Sequence, residues 1–392
     1  MPKRAVLAVA AACALATGAR AQEPPPQPPV PSASPWAFAV SGDSRDCGDL
    51  VMPKIAAAVT AEASPAVDFY WHLGDFRRMY DVDCDILVRR HPDFDCKRRP
   101  LDAFDDDEMS SYEEIAWSDF VDQQLEPFGA LPIFLGIGNH ELYGRNRDDF
   151  ARTFRPWLEQ KALHAQRLAD RTHDIRSPGT STYHFVRRGV DFIYLDNGDE
   201  QSFTADQLVW LARVLAQDAA DATVRTIVVG MHQALPYSAA RIHAMDASCQ
   251  GICAGQQAYD LLYRAQNFAG PPAERKHVYL LASHAHAFLE GIYDTSEHQG
   301  QVLPGWIIGT AGAVQSSDAI RYGYLLVTVE ADGTITPVFR EVTRTSPPLA
   351  SGPGATNLTD FCFTDNKRKQ ADDSFRGQCA CGAIREVPAE SH

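Results

Sequence analysis

The feature that most constrains the fold is a set of short apolar runs, each followed by polar residues of the metal-binding type. One run, Leu131–Leu135, leads into Gly136–Glu141, which reads Gly-Ile-Gly-Asn-His-Glu. This pattern predicts a short buried strand followed by a glycine-rich turn. The turn presents an amide, an imidazole and a carboxylate side by side, and such groups can ligate a metal or orient a ligand. A polar loop can contain these residues by chance. The interpretation as a metal site therefore depends on whether other predicted strand ends carry matching residues.

Four other apolar runs end on groups of the same kind. They are Trp36–Val40 before Asp43, Val67–Leu73 before Asp75, Thr226–Gly230 before His232, and Val278–Ala282 before His284 and His286. A stretch with helical spacing, Leu50–Ala63, separates the first two runs, so the chain reads strand, helix, strand, with an aspartate just past each strand. In layered α/β folds, sites are built at this carboxyl edge of the sheet.

The histidines at these strand ends can be structural or metal-binding. A single histidine at a strand end is usually structural. His284 and His286, however, stand at positions i and i+2, and on an extended segment two such side chains leave the same face. Carboxylate, amide and imidazole groups are the ligands that hold Zn, Mn or Fe. Several such strand ends in one chain therefore favour a shared metal site.

The order of these motifs resembles the calcineurin-like metallophosphoesterase superfamily, whose pattern runs D-x-H, G-D, G-N-H-[DE], H and G-H-x-H. The resemblance covers about residues 36–340 and includes the segments Phe192–Asp196 and Gln207–Leu211. It implies an α/β fold, a four-layer α/β/β/α sandwich of two mixed sheets flanked by helices. It also implies a site at the carboxyl ends of the strands.

The same resemblance implies a two-metal phosphoesterase site. Its metal ligands would be Asp43 and His286 for a first ion, Asn139, His232 and His284 for a second, and Asp75 as the bridge. Two transition-metal ions (Fe, Mn or Zn) about 3.5–4 Å apart would activate a water that attacks phosphorus in line. His140 would stand beside the scissile phosphate and stabilise it or protonate the leaving oxygen, and Asn139 would also contact the substrate. The implied substrate is a small phosphate ester.

Two positions depart from the superfamily pattern. Arg45 replaces the histidine of the first motif and Ser283 replaces a glycine of the last. An arginine cannot ligate a metal because it stays protonated, so the first ion has fewer protein ligands. In lacking this histidine, the chain resembles the purple-acid-phosphatase-like, bacterial exported branch of the superfamily. That branch, however, uses a tyrosine three residues past the bridging aspartate, and this position is Arg78 here.

The arginines near these motifs have two interpretations. Arg45, Arg77 and Arg78 could bind a substrate phosphate through paired hydrogen bonds, or they could pair with the many nearby aspartates. We predict the phosphate-binding role for Arg45. For the whole chain, the main hypothesis is an exported, metal-dependent phosphoesterase. The alternative is a non-catalytic or mononuclear metal-binding envelope protein with a weakened first metal site.

The N-terminus indicates export. Residues 1–21 read as a signal peptide, with Lys3–Arg4 before the apolar run Ala5–Thr17 and a cleavage site after Ala21. A lipoprotein anchored through Cys13 is the weaker alternative. Residues 22–35 form a Pro-rich linker, and no later stretch predicts a transmembrane segment. The predicted location is therefore periplasmic or secreted.

The remaining chain divides into a metallophosphoesterase domain at 36–345, with an acidic insertion at 76–130, and a Cys-containing tail at 346–392. The aspartates of the insertion could hold calcium, but their spacing lacks the glycine of an EF-hand loop, which favours a solvated insertion. Residues 147–171 predict an amphipathic helix that caps the site or packs on a sheet.

The number of cysteines and the net charge bear on whether the protein binds zinc or nucleic acid. Of the nine cysteines, eight remain once Cys13 is removed with the signal peptide. An even count in an exported protein favours disulfides, with 105 possible pairings, over a zinc cluster. Cys84 and Cys96 lie within the insertion and could staple it. The formal net charge of −15 argues against bulk nucleic-acid binding. The oligomeric state is left open.

Overall fold

The computed structural model of this chain describes residues 34–98, 106–199, 202–267 and 275–368, together with Cys379 and Cys381. The predicted signal peptide lies outside the described residues, as do all but the last two residues of the predicted linker. Parts of the acidic insertion and most of the Cys-containing tail also lie outside them. Within the described ranges, every helix is too short or too polar to cross a membrane.

Strands and helices alternate through most of the described chain. The strands are β1 (Trp36–Ser41), β2 (Val67–His72), β3 (Ile133–Leu135), β4 (Tyr183–Arg187), β5 (Val190–Leu195), β6 (Thr226–Met231), β7 (His277–Ala282), β8 (Phe288–Glu290), β9 (Gly305–Ile308), β10 (Tyr322–Val329) and β11 (Ile335–Val342). The helices are α1 (Gly48–Ala61), α2 (Cys84–Arg90), α3 (Asp106–Phe120), α4 (Arg147–Thr153), α5 (Arg155–Leu158), α6 (Lys161–Thr172), α7 (Ala205–Ala220), α8 (Cys249–Gln266) and α9 (Ala355–Asp360).

The described strands form two mixed sheets. The first has the order β11-β10-β1-β2-β3, in which β1, β2 and β3 are parallel. The second has the order β4-β5-β6-β7-β9-β8, in which β5, β6, β7 and β9 are parallel. The register pairs Val40 with Trp71 and Trp71 with Phe134, so β1, β2 and β3 end side by side. The polar residues that follow these strands are therefore brought to one edge.

The core between the sheets is aromatic. Phe69 stacks on Phe38 at 5.3 Å between ring centroids and meets Phe192 of the second sheet edge-on at 5.0 Å. Phe134 stacks on Phe185, also from the second sheet, at 4.0 Å. Stacked and edge-on pairs of this kind add about 0.5–1.5 kcal/mol each beyond burial. The apolar runs predicted as strands are thus buried on the face where the sheets meet.

Helices cover the outer face of each sheet. Leu50 and Ile55 of α1 belong to the same buried cluster as Val40 of the first sheet. Trp210 of α7 belongs to a second buried cluster that includes Val229 of the other sheet. The layers are therefore helix, sheet, sheet and helix, and the predicted fold class is confirmed.

The segment 147–171 differs from its prediction of one amphipathic helix. It forms three short helices, α4, α5 and α6. Asn146 caps α4 by accepting hydrogen bonds from the backbone N–H groups of Asp148 and Asp149, and Pro156 stands in the first turn of α5, where its missing N–H is tolerated. Phe154 is buried against Phe76, at 5.1 Å between ring centroids. The helix α5 contacts β3 and α6 contacts β4, which supports the interpretation that this segment packs on the sheets.

The prediction of a solvated acidic insertion is wrong for its buried aspartates. Asp83 and Asp85 are buried, and Arg77, fully buried, donates to Asp85 at 3.2 Å, to Asp49 at 2.6 Å and to Asp119. Buried charges persist when they are paired and hydrogen-bonded, and this cluster satisfies that condition. Arg77 therefore neutralises aspartates and does not reach a substrate. The insertion's buried carboxylates pair with this arginine, in contrast to the calcium site that was the alternative.

The prediction that the cysteines pair is confirmed. The disulfides among the described residues are Cys47–Cys362, Cys84–Cys96, Cys249–Cys379 and Cys253–Cys381. The second of these staples the insertion, as expected. The first ties the segment after α9 to the start of α1, so the part of the tail that is described is anchored to the domain. Both tail cysteines at 379 and 381 are paired, which leaves no thiolate there for zinc.

Candidate metal centre

The polar residues predicted at the strand ends lie near one another at one edge of the two sheets. They are Asp43 after β1, Asp75 after β2, Asn139 after β3, His232 after β6, and His284 and His286 after β7. One possible ligand atom from each of Asp43, Asp75, His232 and His284 lies within 4.8 Å of the others. This four-residue set includes Asp43, which the sequence prediction assigned to the first ion, and it does not include His286.

The backbone at these positions is held in an unusual conformation. Asp43, Asp75 and His284 have φ angles of 60°, 61° and 63°, and His286 has a φ of 43°. A residue other than glycine in this left-handed region costs about 1–3 kcal/mol, and such residues cluster at functional sites. The turn after each strand thus re-aims its side chain at the shared edge.

Two glycines make the close approach of these turns possible. A Cβ atom on Gly138 would lie 2.3 Å from Asp75 Oδ1 and 2.9 Å from His232 Cε1. Gly74 has a φ of +99°, and a Cβ on it would lie 2.5 Å from the backbone nitrogen of Gly138. The glycines of the Gly-Asp and Gly-Asn-His motifs are therefore required by contact between the two turns.

His232 lies at the centre of the best-formed part of the site. Its Nε2 atom is 3.1 Å from Asn139 Oδ1, 3.0 Å from His284 Nδ1 and 3.2 Å from Asp75 Oδ1. Its Nδ1 atom lies 3.0 Å from the carbonyl oxygen of Leu73, which can only accept, so Nδ1 carries a proton and donates it there. In the neutral form of the ring, Nε2 therefore holds a lone pair, which faces the side-chain oxygens of Asn139 and Asp75 and the Nδ1 atom of His284.

This arrangement fits a bound cation. Acceptor atoms that face one another at about 3 Å repel unless a proton or a metal ion lies between them. Metal bonds of about 2.1 Å at right angles place neighbouring ligand atoms about 3.0 Å apart. The separations around His232 Nε2 match that spacing. The donor set of imidazoles, carboxylate and amide suits Zn, Mn or Fe.

The pKa values of His232 and Asp75 also indicate a site that attracts a cation. Burial alone lowers the pKa of His232, but the carboxylate of Asp75 outweighs it and raises that pKa to about 9. Burial would raise the pKa of Asp75, but the imidazoles of His140 and His232 and the guanidinium of Arg45 hold it well below its usual value. The carboxylate thus stays ionised and attracts positive charge. Without a metal ion, a proton on His232 takes that place.

His140 lies at the mouth of this cluster. Its side chain is 5% exposed, its Nδ1 donates to the carbonyl oxygen of Arg78, and its Nε2 lies 3.6 Å from Asp75 Oδ2. Burial, aided by Arg45, lowers the pKa of His140 to about 4. The ring is therefore neutral at pH 7, with a free lone pair at Nε2 that faces the site.

Glu141 binds the backbone of the two turns beside the site. Its carboxylate accepts hydrogen bonds from the backbone N–H groups of Asp75, Phe76 and Gly138 at 2.7–2.8 Å. It therefore ties the turn after β2 to the turn after β3. His140 is oriented by the Arg78 carbonyl.

The residues predicted to bind the first metal ion lie around the guanidinium of Arg45. His286 donates from Nδ1 to the carbonyl oxygen of Val314 at 2.9 Å, and its Nε2 accepts a hydrogen bond from Arg45 NH2 at 2.6 Å. Arg45 is only 6% exposed, and its NH1 lies 3.7 Å from Asp75 Oδ2. Asp43 Oδ1 lies 3.3 Å from His286 Nε2. The sequence prediction placed Arg45 beside a first metal ion, whereas its guanidinium lies among the residues predicted to ligate that ion.

Similarity to known proteins is found among solved structures. No family model matches the sequence, and no curated protein matches it. Among solved structures, the chain is similar to a purple acid phosphatase from yellow lupin (Lupinus luteus) seeds, with 13% identity, a TM-score of 0.49, and coverage of 79% of this chain and 52% of that one. The chain thus spans about half the length of the lupin enzyme.

Two further solved structures are similar to this chain with lower TM-scores. One is GAP50, the anchor in the inner membrane complex of Plasmodium, with 11% identity, a TM-score of 0.40, and coverage of 88% of this chain and 100% of that one. The other is a metallophosphoesterase from Sphaerobacter thermophilus, with 14% identity, a TM-score of 0.27, and coverage of 83% and 98%. At these scores the roles of individual residues rest on the geometry described above. The two-sheet architecture and the metal-ligand cluster agree with the resemblance of the motifs to calcineurin-like metallophosphoesterases.

Sequence reasoning missed two residues beside the site. The ring of His243 lies 5.2 Å from that of His284, and burial lowers the pKa of His243 to about 4. It lies in a loop between β6 and α8, away from any strand end. Tyr80 is 44% exposed and lies 5.1 Å from the His140 ring. The guanidinium of Arg78 packs over Tyr80 and pairs with Asp46 at 3.0 Å, in line with the interpretation that this arginine pairs with a nearby aspartate.

Proposed function

We propose that this protein is an exported, metal-dependent hydrolase of small phosphate esters. The observation that carries the proposal is the convergence of Asp75, Asn139 and His284 on the Nε2 atom of His232. The order of motifs, which resembles metallophosphoesterases, and the paired cysteines, which suit an oxidising compartment, support it as well. The signal peptide predicted at residues 1–21 is the reason for proposing export.

The chemistry divides between a metal and the chain. A bound divalent ion would neutralise charge on the phosphate and lower the pKa of a water that attacks phosphorus. Asp75, Asn139, His232 and His284 would hold that ion. The Leu73 carbonyl orients His232 from behind, and such second contacts typically change metal affinity by 10- to 100-fold.

His140 would move a proton. Because its Nδ1 donates to the Arg78 carbonyl, its Nε2 is free to accept a proton from the attacking water or to receive a hydrogen bond from the substrate. With a pKa near 4, it is a base at neutral pH and becomes an acid only after it has taken a proton. The leaving oxygen can then receive that proton.

The experiment that tests the proposal separates metal binding from chemistry. Purified protein, expressed with added Mn²⁺ or Zn²⁺, is analysed for metal content and assayed with p-nitrophenyl phosphate and bis(p-nitrophenyl) phosphate. We expect His140→Ala to keep its metal and to lose about 10²- to 10⁴-fold in kcat. His232→Ala should lose both metal and activity.

The control is His277→Ala, since His277 is exposed at the start of β7, at the opposite end of the strand from the site. It should match the wild type in both measurements. Wild-type protein without metal would refute the proposal. A metal-loaded protein that hydrolyses neither ester would favour the alternative, a non-catalytic metal-binding envelope protein.

A further inference from the structure

We infer that the guanidinium of Arg45 permanently occupies the position of the first metal ion, so that the protein binds one metal ion per chain. The inference concerns the same site as the proposed function and rests on it. It changes the predicted cofactor from two ions to one ion and one fixed organic cation.

The first argument is the contact with His286. The Nδ1 proton of this residue is donated to Val314, so Nε2 holds the lone pair that a metal would need. Arg45 NH2 already donates to that lone pair at 2.6 Å. A metal bond to Nε2 would require this hydrogen bond to break and would leave a buried guanidinium N–H without an acceptor.

The second argument is the position of the guanidinium between the predicted ligands of the first ion. NH2 contacts His286, and NH1 lies 3.7 Å from Asp75 Oδ2, the carboxylate oxygen on the side away from the contact with His232. In a two-metal site the ions lie about 3.5–4 Å apart and share a bridging carboxylate. The space beside Asp75 where the other ion would lie is therefore filled by a side chain that is only 6% exposed.

The third argument is charge. A guanidinium stays protonated, and a divalent ion placed next to it in a buried site is repelled. Asp43 and Asp75 already supply the negative charge that compensates Arg45. Further, Asp43 lies within 4.8 Å of the set around His232, while His286 does not belong to that set. The described ligand atoms therefore form one centre in place of two.

The substitution has a consequence for the substrate. The Nε and NH1 atoms of Arg45 are buried and have no hydrogen-bond partner among the described residues. Asp43 Oδ1 and Asp75 Oδ2 are also buried and lack a hydrogen-bond partner among the described residues. Arg45 thus supplies a positive charge and two donors beside the single metal, where a phosphate oxygen of the substrate would otherwise meet a second ion.

The test is a count of metal ions. Protein stripped with a chelator is titrated with Mn²⁺ by calorimetry, and its content after dialysis is measured by elemental analysis. We expect one Mn²⁺ per chain for the wild type. Arg45→His, which introduces a neutral ligand and removes the fixed charge, should bind two, with the spin-coupled electron paramagnetic resonance signal of a Mn²⁺ pair.

The matched control is Arg187→His. Arg187 pairs with Asp68 at 2.8 Å, at the start of β2 and so at the opposite end of that strand from the site. This variant should bind one Mn²⁺, as the wild type does. The control shows whether an added histidine alone increases the metal count.

The outcomes separate the inference from the proposed function. Two tightly bound ions in the wild type would overturn the inference and leave the proposed function standing. One ion without esterase activity would support the inference and overturn the function. A folded Arg45→His variant that still binds one ion would overturn the inference. The wild-type count remains decisive if Arg45→His does not fold.

Discussion

The buried histidine of the β4–β5 hairpin allows a quantitative prediction. His184 is 4% exposed and lies between two buried carboxylates, with Nδ1 at 2.8 Å from Asp191 and Nε2 at 3.1 Å from Asp170. Burial opposes its charge, but the two carboxylates outweigh it and raise the pKa of His184 to about 10. The doubly protonated ring can donate to both. We therefore expect His184→Gln to destabilise the protein in a pH-dependent way.

The magnitude follows from the two pKa values. With about 6.5 in the unfolded chain and about 10 in the folded protein, protonation of His184 stabilises the folded state by about 5 kcal/mol at pH 6. The same relation leaves about 3 kcal/mol at pH 8 and less than about 1 kcal/mol at pH 10. Because the folded pKa is raised, the stabilisation is complete only below the unfolded pKa, and it is lost as pH rises through the folded pKa.

The assay is urea unfolding of metal-free, disulfide-intact protein, followed by circular dichroism at pH 6, 8 and 10. The difference in unfolding free energy between the wild type and His184→Gln should be largest at pH 6 and shrink toward pH 10. His164→Gln is the control, because His164 is exposed on α6, the helix that also carries Asp170. A difference below 1 kcal/mol at pH 6, or one that does not change with pH, would refute the reasoning.

Two further predictions concern the disulfides and the turns. The double variant Cys47→Ser/Cys362→Ser should lose about 2–5 kcal/mol of unfolding free energy, as measured by urea unfolding, because the bond links residues 315 apart in sequence; an unchanged unfolding midpoint would contradict this. Gly138→Ala should weaken Mn²⁺ binding at least tenfold in calorimetry, since its Cβ would lie 2.3 Å from Asp75 Oδ1. Gly179→Ala, whose Cβ would meet no atom within 4 Å, should bind as the wild type does, and equal affinity in both variants would show that the turns tolerate the added atom.

Much of the fold could be predicted because its strands are short, apolar and bounded by turn residues. The apolar runs Tyr183–Val186 and Val190–Leu195 indicate a hairpin through Arg188–Gly189, and both turn residues have positive φ, at 50° and 81°. The strand β8 (Phe288–Glu290) was missed, because three residues carry too little periodicity to be distinguished from a loop. The helix α9 (Ala355–Asp360) was missed because its surroundings are rich in proline and glycine.

The candidate site divides in the same way. Residues at strand ends could be named from local sequence, because parallel strands bring their carboxyl ends to one edge whatever the loops between them do. Pairings between distant loops could not be named. The contact of Arg45 with His286 joins residues 241 apart, and the two arginines after Asp75 are distinguished only by which aspartates surround them.

By itself, therefore, the sequence determined the α/β class, the series of strands and the identity of the candidate ligands, since these depend on apolar periodicity and on residue chemistry. The tertiary structure alone decided which cysteines pair, that Glu141 binds three backbone N–H groups, and that the guanidinium of Arg45 lies among the predicted ligands of a first ion. These depend on distances between segments that only the packing of the two sheets sets, because a side chain's charge and hydrogen-bonding capacity do not specify which partner it meets.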